Sequence, residues 1–313
     1  MEEELFISGR NIPHIDPNLE VWHFPISLYL FLGGMAAGII FFASLFTIMR
    51  KEKEVPTAVK SGMIVVVIAI SIGLLALVYD LTHKLYVWQL YMTIRIESPM
   101  SWGAWVLLVI TIISFLWVFS YFTEMFPKWD LKFDFLKKIQ TYLIENRRTM
   151  AIILLPLSII LGIYTGILLS AFNARPLWNN SILGPLFLTS GLSTGAAAII
   201  LFSKNQYEKH LFGKIDLALI ILELGLIIHM IMGMYAGSAV QLEALDILVG
   251  GEFTVMFFVF VVILGLIFPA ILEGIEIMGY KIPSVVPALL VLMGGLIFRM
   301  VMIEAGQLTR YLY

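Results

Sequence analysis

The run Phe24-Pro25-Ile26-Ser27-Leu28-Tyr29-Leu30-Phe31-Leu32-Gly33-Gly34-Met35-Ala36-Ala37-Gly38-Ile39-Ile40-Phe41-Phe42-Ala43-Ser44-Leu45-Phe46-Thr47-Ile48-Met49 contains no charged side chain. About 20 apolar residues in helix cross the hydrocarbon core of a bilayer, and this run is too long for the ~10-residue alternating strand of an outer-membrane barrel. Seven more stretches of the same kind follow, at roughly 61–80, 98–124, 149–173, 182–203, 215–238, 252–273 and 283–306. The pattern predicts an all-α integral membrane protein with eight transmembrane helices.

Composition agrees with that reading. Of 313 residues, 60% are hydrophobic and 13% charged, and the mean hydropathy is +0.95, which excludes a water-soluble enzyme. Cysteine is absent, which removes disulfides, thiol chemistry and cysteine-ligated zinc or iron–sulfur clusters from this chain. The net charge of −2 hides a sharp asymmetry along the chain and so says nothing about nucleic acid. The acidic start Met1-Glu2-Glu3-Glu4 argues against a cleavable signal, which needs a basic leader.

Charge asymmetry sets the expected orientation. Segments 50–60, 125–148, 204–214 and 274–282 carry fourteen Lys and Arg, whereas the other side has Arg10, Lys84, Arg95, Arg175 and Arg310. Positive loops face the cytoplasm, so both termini are expected outside, with 1–23 a periplasmic tail. Trp22, Trp88, Trp102 and Trp178 fall near the outer boundary and Trp129 near the inner one, as interfacial aromatics do.

Small residues recur at intervals of four: Gly34/Gly38, Ser158/Gly162/Gly166/Ser170, Gly191/Gly195 and Gly225/His229/Gly233/Gly237. Such stripes let helix backbones approach closely. The last stripe is therefore expected to turn His229 into a helix contact. Aligning Gly34/Gly38 with Gly191/Gly195 suggests two parallel halves, a four-helix bundle over 24–173 and another over 174–313.

Ionisable groups within spans are costly enough to be functional candidates. Asp80 shares a helix face with His83 and Lys84, at spacings of three and four, and His23 lies at matching depth. These groups form either a headgroup-level ion pair or an acid–base cluster. Tyr164 sits about nine residues into the fourth span, ~13 Å deep at 1.5 Å per residue, as a core hydrogen bond or a ligand donor. Arg299 reaches a similar depth in the eighth span, with Glu304 further out; Glu304 or Asp80 would be its structural partner. Glu223 and His229 lie mid-span but about 240° apart around the helix, so they form no single site. They are either separate buried hydrogen bonds or stations of a proton path entered at Glu273 and Glu276. Only His23 and His83 could ligate a haem, and no Walker, dinucleotide or metalloprotease motif occurs.

Four motifs carry a resemblance. They are Ser98-Pro99-Met100-Ser101-Trp102-Gly103-Ala104-Trp105; Gly162-Ile163-Tyr164-Thr165-Gly166 followed by Ala174-Arg175-Pro176-Leu177-Trp178-Asn179; Ser190-Gly191-Leu192-Ser193-Thr194-Gly195; and Gly294-Gly295 through Arg299 to Ala305-Gly306-Gln307. Together, over nearly the whole chain, the sequence resembles the polysulfide reductase membrane-subunit family (NrfD/PsrC type). The resemblance implies a haem-free subunit with a quinone or menaquinone pocket near the outer face of the first four helices. It also implies a periplasmic ferredoxin-like iron–sulfur subunit above that pocket, beside a molybdopterin enzyme or a multihaem cytochrome, in the inner membrane of a prokaryote. Tyr164 matches the family's quinone-contacting tyrosine, His23 the Trp-His segment opening the first helix, and Asp80 an acidic residue ending the second. Where some members carry Asn and His further along helix 1, this chain has Ile26 and Tyr29, and Tyr29 can substitute as a donor.

The expected site is then Tyr164, His23 and Asp80, with Tyr29, His83, Trp102 and Arg299 around the quinone and Glu223, His229 and Glu304 on a proton path. Loops 81–97 and 172–181 are expected to dock the partner. The rival reading is a proton-coupled secondary transporter using Glu223, His229 and Arg299.

Overall fold

The computed structural model describes residues 22–129 and 132–309. The acidic segment 1–21, with Arg10, and Arg310 lie outside the described residues. Among the described residues, eight helices are long and apolar enough to cross a membrane: α1 Phe24–Ile48, α2 Ser61–Asp80, α3 Pro99–Ser120, α4 Arg147–Ser170, α5 Leu183–Phe202, α6 Gln206–Tyr235, α7 Val255–Ile277 and α8 Val285–Leu308. The protein is a multi-pass helical membrane protein.

Each predicted span is found, and the largest displacement is at α6. It starts at Gln206 rather than near 215, because the Asn205 side chain accepts the Tyr207 N–H at 3.0 Å and caps the helix there. Lys209 and Lys214 therefore ride on helix rather than loop. The seventh span has an internal change of winding. Val255–Ile267 is wound wide with i→i+5 bonding, and α geometry resumes at Phe268. Pro269 follows directly after this change of winding and, lacking an N–H, donates nothing to the preceding turn.

The most deeply buried span is α1, apolar on every side as a central helix must be. It packs on α2, α4, α5 and α8. At the α1–α5 crossing, a Cβ on Gly38 would overlap the backbone of Gly191, and one on Gly195 the backbone of Gly38. The two glycine pairs that align as an internal repeat thus touch each other. Gly162 and Gly166 admit Leu188 and the Leu183 carbonyl in the same way, and Gly265 and Gly294 join α7 to α8.

The stripe on α6 departs from expectation. Glu223, Ile227, Met230 and Met234 are the buried positions, while Gly225, His229 and Gly233 are exposed, with nothing within 4 Å of a Cβ on either glycine. Spacing by four marks a face but not which way it points. Here the bulky face plus Glu223 turns inward and His229 turns out toward the membrane.

At the end of the bundle holding His23 and Asp80, segment 171–182 is a lock. Trp178 is buried, donates Nε1–H to the Met302 carbonyl at 2.7 Å and stacks on Trp22 at 5.3 Å, in space left by Gly306. Arg175 donates to the carbonyls of Gln307 (2.6 Å) and Thr309 (2.5 Å), and Gln307 makes two 2.7 Å bonds to the Trp22 backbone. Trp178 is thus a core residue rather than an interfacial anchor, whereas Trp88, Trp102 and Trp129 are exposed. The Arg-Pro-Leu-Trp and Ala-Gly-Gln motifs fasten the end of α8 to the start of α1.

Candidate functional site

A cavity of about 230 Å³ opens between α1, α2, α3 and α4 at the end carrying His23. Its apolar walls include Ile26, Leu74, Leu77, Leu107 and Leu168, and its polar groups are Tyr29, Tyr164, Asp80 and Tyr91. Such a lining, mostly apolar with a few convergent polar groups, suits a ring with polar substituents.

Tyr164 reaches this cavity because of Gly103. A Cβ there would overlap the phenol ring, so the glycine of the Ser-x-x-Trp-Gly motif on α3 is the seat of the α4 tyrosine. Tyr29 approaches from α1, beside Gly73 of α2. The two phenols are almost fully buried and interact with one another. At the rim, His23 Nδ1 lies 3.6 Å from Asp80 Oδ1, with the His side chain 67% exposed and the Asp 12%. The pair therefore joins the cavity to the aqueous side. Tyr91, at the rim and outside the spans, has its phenol pushed up by burial, which keeps it a hydroxyl donor at neutral pH.

His83 is one step further out. It lines an outer cavity of about 450 Å³ with Arg95, Ser98 and Ser101, and its ring lies 6.3 Å from that of Tyr86. Between the two cavities runs the segment 81–98, which leaves Leu85, Met92, Ile94 and Ile96 at least two-thirds exposed.

Other expected members lie elsewhere. Trp102 is half-exposed, bonds through Nε1–H to the Ile96 carbonyl at 2.5 Å, and does not line the cavity. Its place on α3 is one residue off the Gly103 face. Arg299 is fully buried among α1, α5 and α8, donating to Ser190 Oγ at 2.6 Å and to the carbonyls of Gly295 (3.0 Å) and Phe187 (3.5 Å), with the Phe187 and Phe298 rings 5.3 and 5.5 Å away. Its carboxylate is Glu223, which also bonds Ser190, and not Glu304 or Asp80. Glu304 lines a different cavity, of about 430 Å³, with His23, Phe24 and Glu252. The structure thus puts Glu223, His229 and Glu304 in three different surroundings. His229 faces outward and Glu304 sits on α8 away from Glu223.

Two groups escaped the sequence reading. Asp216 of α6 is fully buried and accepts from Ser193 Oγ at 2.6 Å, and the Glu273 carboxyl of α7 is in hydrogen-bonding contact with it; among the described residues no N–H or hydroxyl donor reaches Asp216 Oδ2 or either Glu273 oxygen. Asp216 was hidden by the displaced start of α6, which put it at a span boundary. Tyr91 lay in a connecting segment with no periodic pattern to mark it.

Fold and cavity together define a polytopic helical membrane protein with a phenol-lined pocket at one end. The polysulphide reductase NrfD family pattern matches residues 13–310, and the protein belongs to that family. It is 31% identical over 304 residues to protein NrfD of Escherichia coli K12, covering 92% of this sequence and 96% of that one. It is 31% identical over 305 residues to the C polypeptide of polysulfide reductase from Wolinella succinogenes (93% and 95%), and 29% identical over 314 residues to an NrfD homolog of Haemophilus influenzae (95% and 98%).

Proposed function

We propose that the protein is the membrane subunit of a respiratory oxidoreductase complex, exchanging electrons between a membrane quinone and a periplasmic iron–sulfur subunit. The observation that carries this reading is the Tyr29–Tyr164 pair in an apolar cavity whose rim is the His23–Asp80 pair. A bound quinol would supply two electrons and two protons per turnover, and a bound quinone would accept them. Tyr164 and Tyr29 hold its oxygens by hydrogen bonds, the leucines of α2, α3 and α4 exclude water around the ring, and Asp80 with His23 moves protons between the cavity and the aqueous face. His83 lies on the outer side of that exit.

The exposed apolar segment 81–98 is the surface on which the iron–sulfur partner would sit, with a molybdopterin subunit or multihaem cytochrome beyond it. Of the two expected docking loops, 172–181 is spent on fastening α8. In the inner membrane of a prokaryote the basic loops would face the cytoplasm and both termini the periplasm.

A proton route from the basic end accompanies this reading. Glu273, Asp216, Ser193, Ser190 and Glu223 follow one another across α7, α6 and α5, and the contact between the buried Asp216 and Glu273 carboxyls favours it. This line replaces the His229 and Glu304 stations.

The test is turnover of a quinol analogue by the intact complex, with an azido-quinone label mapped by mass spectrometry. Label on α1 or α4 near Tyr29 or Tyr164, and an altered pH profile in Asp80→Asn, are expected. Label confined to α5–α8, with wild-type kinetics in Asp80→Asn, would move the pocket elsewhere.

A further inference from the structure

At the basic end, remote from the phenol cavity, a second cavity of about 680 Å³ lies between the 50–60 segment, the end of α3 and the start of α4. Five cations line it, Arg50, Lys53, Lys60, Arg147 and Arg148, against three carboxylates, Glu52, Glu124 and Glu145, an excess of two positive charges.

These groups are not equivalent. Lys60 and Arg147 are both taken by Glu124, each at 2.7 Å, and the Arg147 guanidinium lies 3.4 Å over the Tyr121 ring while bonding Ser120. They form the wall. Arg50, Lys53 and Arg148 are exposed, and no ion pair to another described residue satisfies them. The segment that presents Arg50 and Lys53 is itself held: Glu208 accepts the N–H groups of Thr57 (3.3 Å) and Ala58 (3.0 Å), and Trp117 donates to the Val59 carbonyl at 2.9 Å. The cations therefore converge on a preformed space.

Arg50 adds a second observation. It ends α1 at φ +59°, with its N–H on the Thr47 carbonyl (3.1 Å) and the Lys51 N–H on the Phe46 carbonyl (2.8 Å). That is the helix-ending turn whose left-handed residue is usually glycine. An arginine occupies it at a conformational cost glycine does not bear, and that arginine lines the cavity.

The level of the cavity says what fills it. Helix Asp134–Glu145 is amphipathic and abuts the cavity through Ile144 and Glu145, yet leaves Phe135 71% and Tyr142 65% exposed, as a helix lying in the membrane interface does. Met49 and Ile144 beside the cavity are exposed apolar groups as well. A free anion would use the cations and leave these surfaces bare; a phospholipid uses both.

We propose that this cavity is a site for an anionic phospholipid, its phosphate diester held by Arg50, Lys53 and Arg148 and its headgroup hydroxyls turned to Glu52. Glu52 Oε2 is buried and has no hydrogen-bond partner among the described residues, which suits an incoming donor. Basic pockets between transmembrane helices bind such headgroups.

The experiment uses the complex in detergent, stripped of lipid, with native mass spectrometry and melting curves after addition of phosphatidylglycerol, phosphatidylcholine or inorganic phosphate. Phosphatidylglycerol is expected to remain bound and raise the melting temperature, and the other two to do neither. Each cation removed weakens binding about fivefold, so Arg50→Gln/Lys53→Gln/Arg148→Gln loses roughly 100-fold. Arg50→Gly separates binding from folding. It is expected to melt no lower than wild type without lipid, because the turn is relaxed, yet to bind phosphatidylglycerol about fivefold more weakly. Wild-type affinity in Arg50→Gly, an equal response to phosphatidylcholine, or a full response to inorganic phosphate alone would each overturn the proposal.

Discussion

The first four and the last four spans treat polar groups in opposite ways. Around α1–α4 the polar side chains border an opening: Tyr29 and Tyr164 at its floor, Asp80 and His23 at its rim. Among α5–α8 they are sealed, with Arg299 bonded to Ser190, Glu223 beside both, and Asp216 on Ser193. A polar group next to a cavity can exchange partners with whatever enters, whereas one enclosed by protein is tied to its neighbours and its loss leaves a charge stranded. Substitutions in the two halves should therefore fail differently, by turnover alone in the first and with a loss of stability in the second.

The largest effect is expected at Arg299. Arg299→Met leaves Glu223 buried without its cation and should cost about 3–5 kcal/mol of stability, read as a lower melting temperature and poor yield in detergent. Adding Glu223→Gln should recover most of it. Failure of the double variant to recover would mean that Arg299 holds the helices mainly through Ser190 and the Phe187 carbonyl.

Glycine contrasts come next. Gly38→Ala forces a methyl into the Gly191 backbone and should destabilise by about 1–3 kcal/mol. Gly225→Ala, on the outward face of α6, should be neutral or stabilising by up to ~1 kcal/mol, since alanine is the better helix former. Equal losses at both positions would show that the α6 face is covered in the native complex.

Tyr164→Phe keeps the ring over Gly103 and removes one hydroxyl. A lost hydrogen bond to a quinone oxygen is worth about 0.5–1.5 kcal/mol, or up to 3 if charge develops there, giving a several-fold to ~100-fold slower turnover with an unchanged melt. A lowered melt with normal turnover per folded molecule would move Tyr164 to the structural class that Arg299 represents.

The smallest effect concerns pH at the basic end. Burial raises the Glu124 carboxyl, but bonds from Lys60 and Arg147 outweigh it and leave the group below its ordinary value of 4.5. Because the folded value is depressed, this contribution is present above pH 4.5 and lost as pH falls through the folded value. The side chain is 38% exposed, so the stability gap between wild type and Glu124→Gln should stay under ~1 kcal/mol at pH 7 and close as acid melts pass down through the folded value, below 4.5.

How much of this was legible in the sequence varied with the kind of constraint. The spans were, because each must satisfy its backbone within itself and cover ~30 Å of hydrocarbon, and no partner is needed to impose that. Tyr164 and Asp80 were also within reach, as polar side chains inside a span or at its end, and Tyr29 came with the family resemblance. Trp102 and Arg299 were not, since depth alone does not say whether a side chain turns to the cavity, to lipid or to the next bundle. Asp216 was lost because a helix cap at Asn205, a single hydrogen bond, moved the start of α6 by two and a half turns.

Sequence by itself determined a membrane protein of eight helices, the chemistry absent from a protein without cysteine, and the membership carried by its four motifs. Tertiary structure alone decided that Gly103 exists for Tyr164, that Trp178 and Arg175 fasten α8, and that His229 faces out while Glu223 faces Arg299. The physical reason is that hydropathy is a property of a segment and survives any rotation about the helix axis. Which face is buried depends on the volumes offered by neighbouring helices. Those are fixed only when Gly38, Gly191 and Gly195 bring α1 and α5 into backbone contact and set the rotation of everything packed around them.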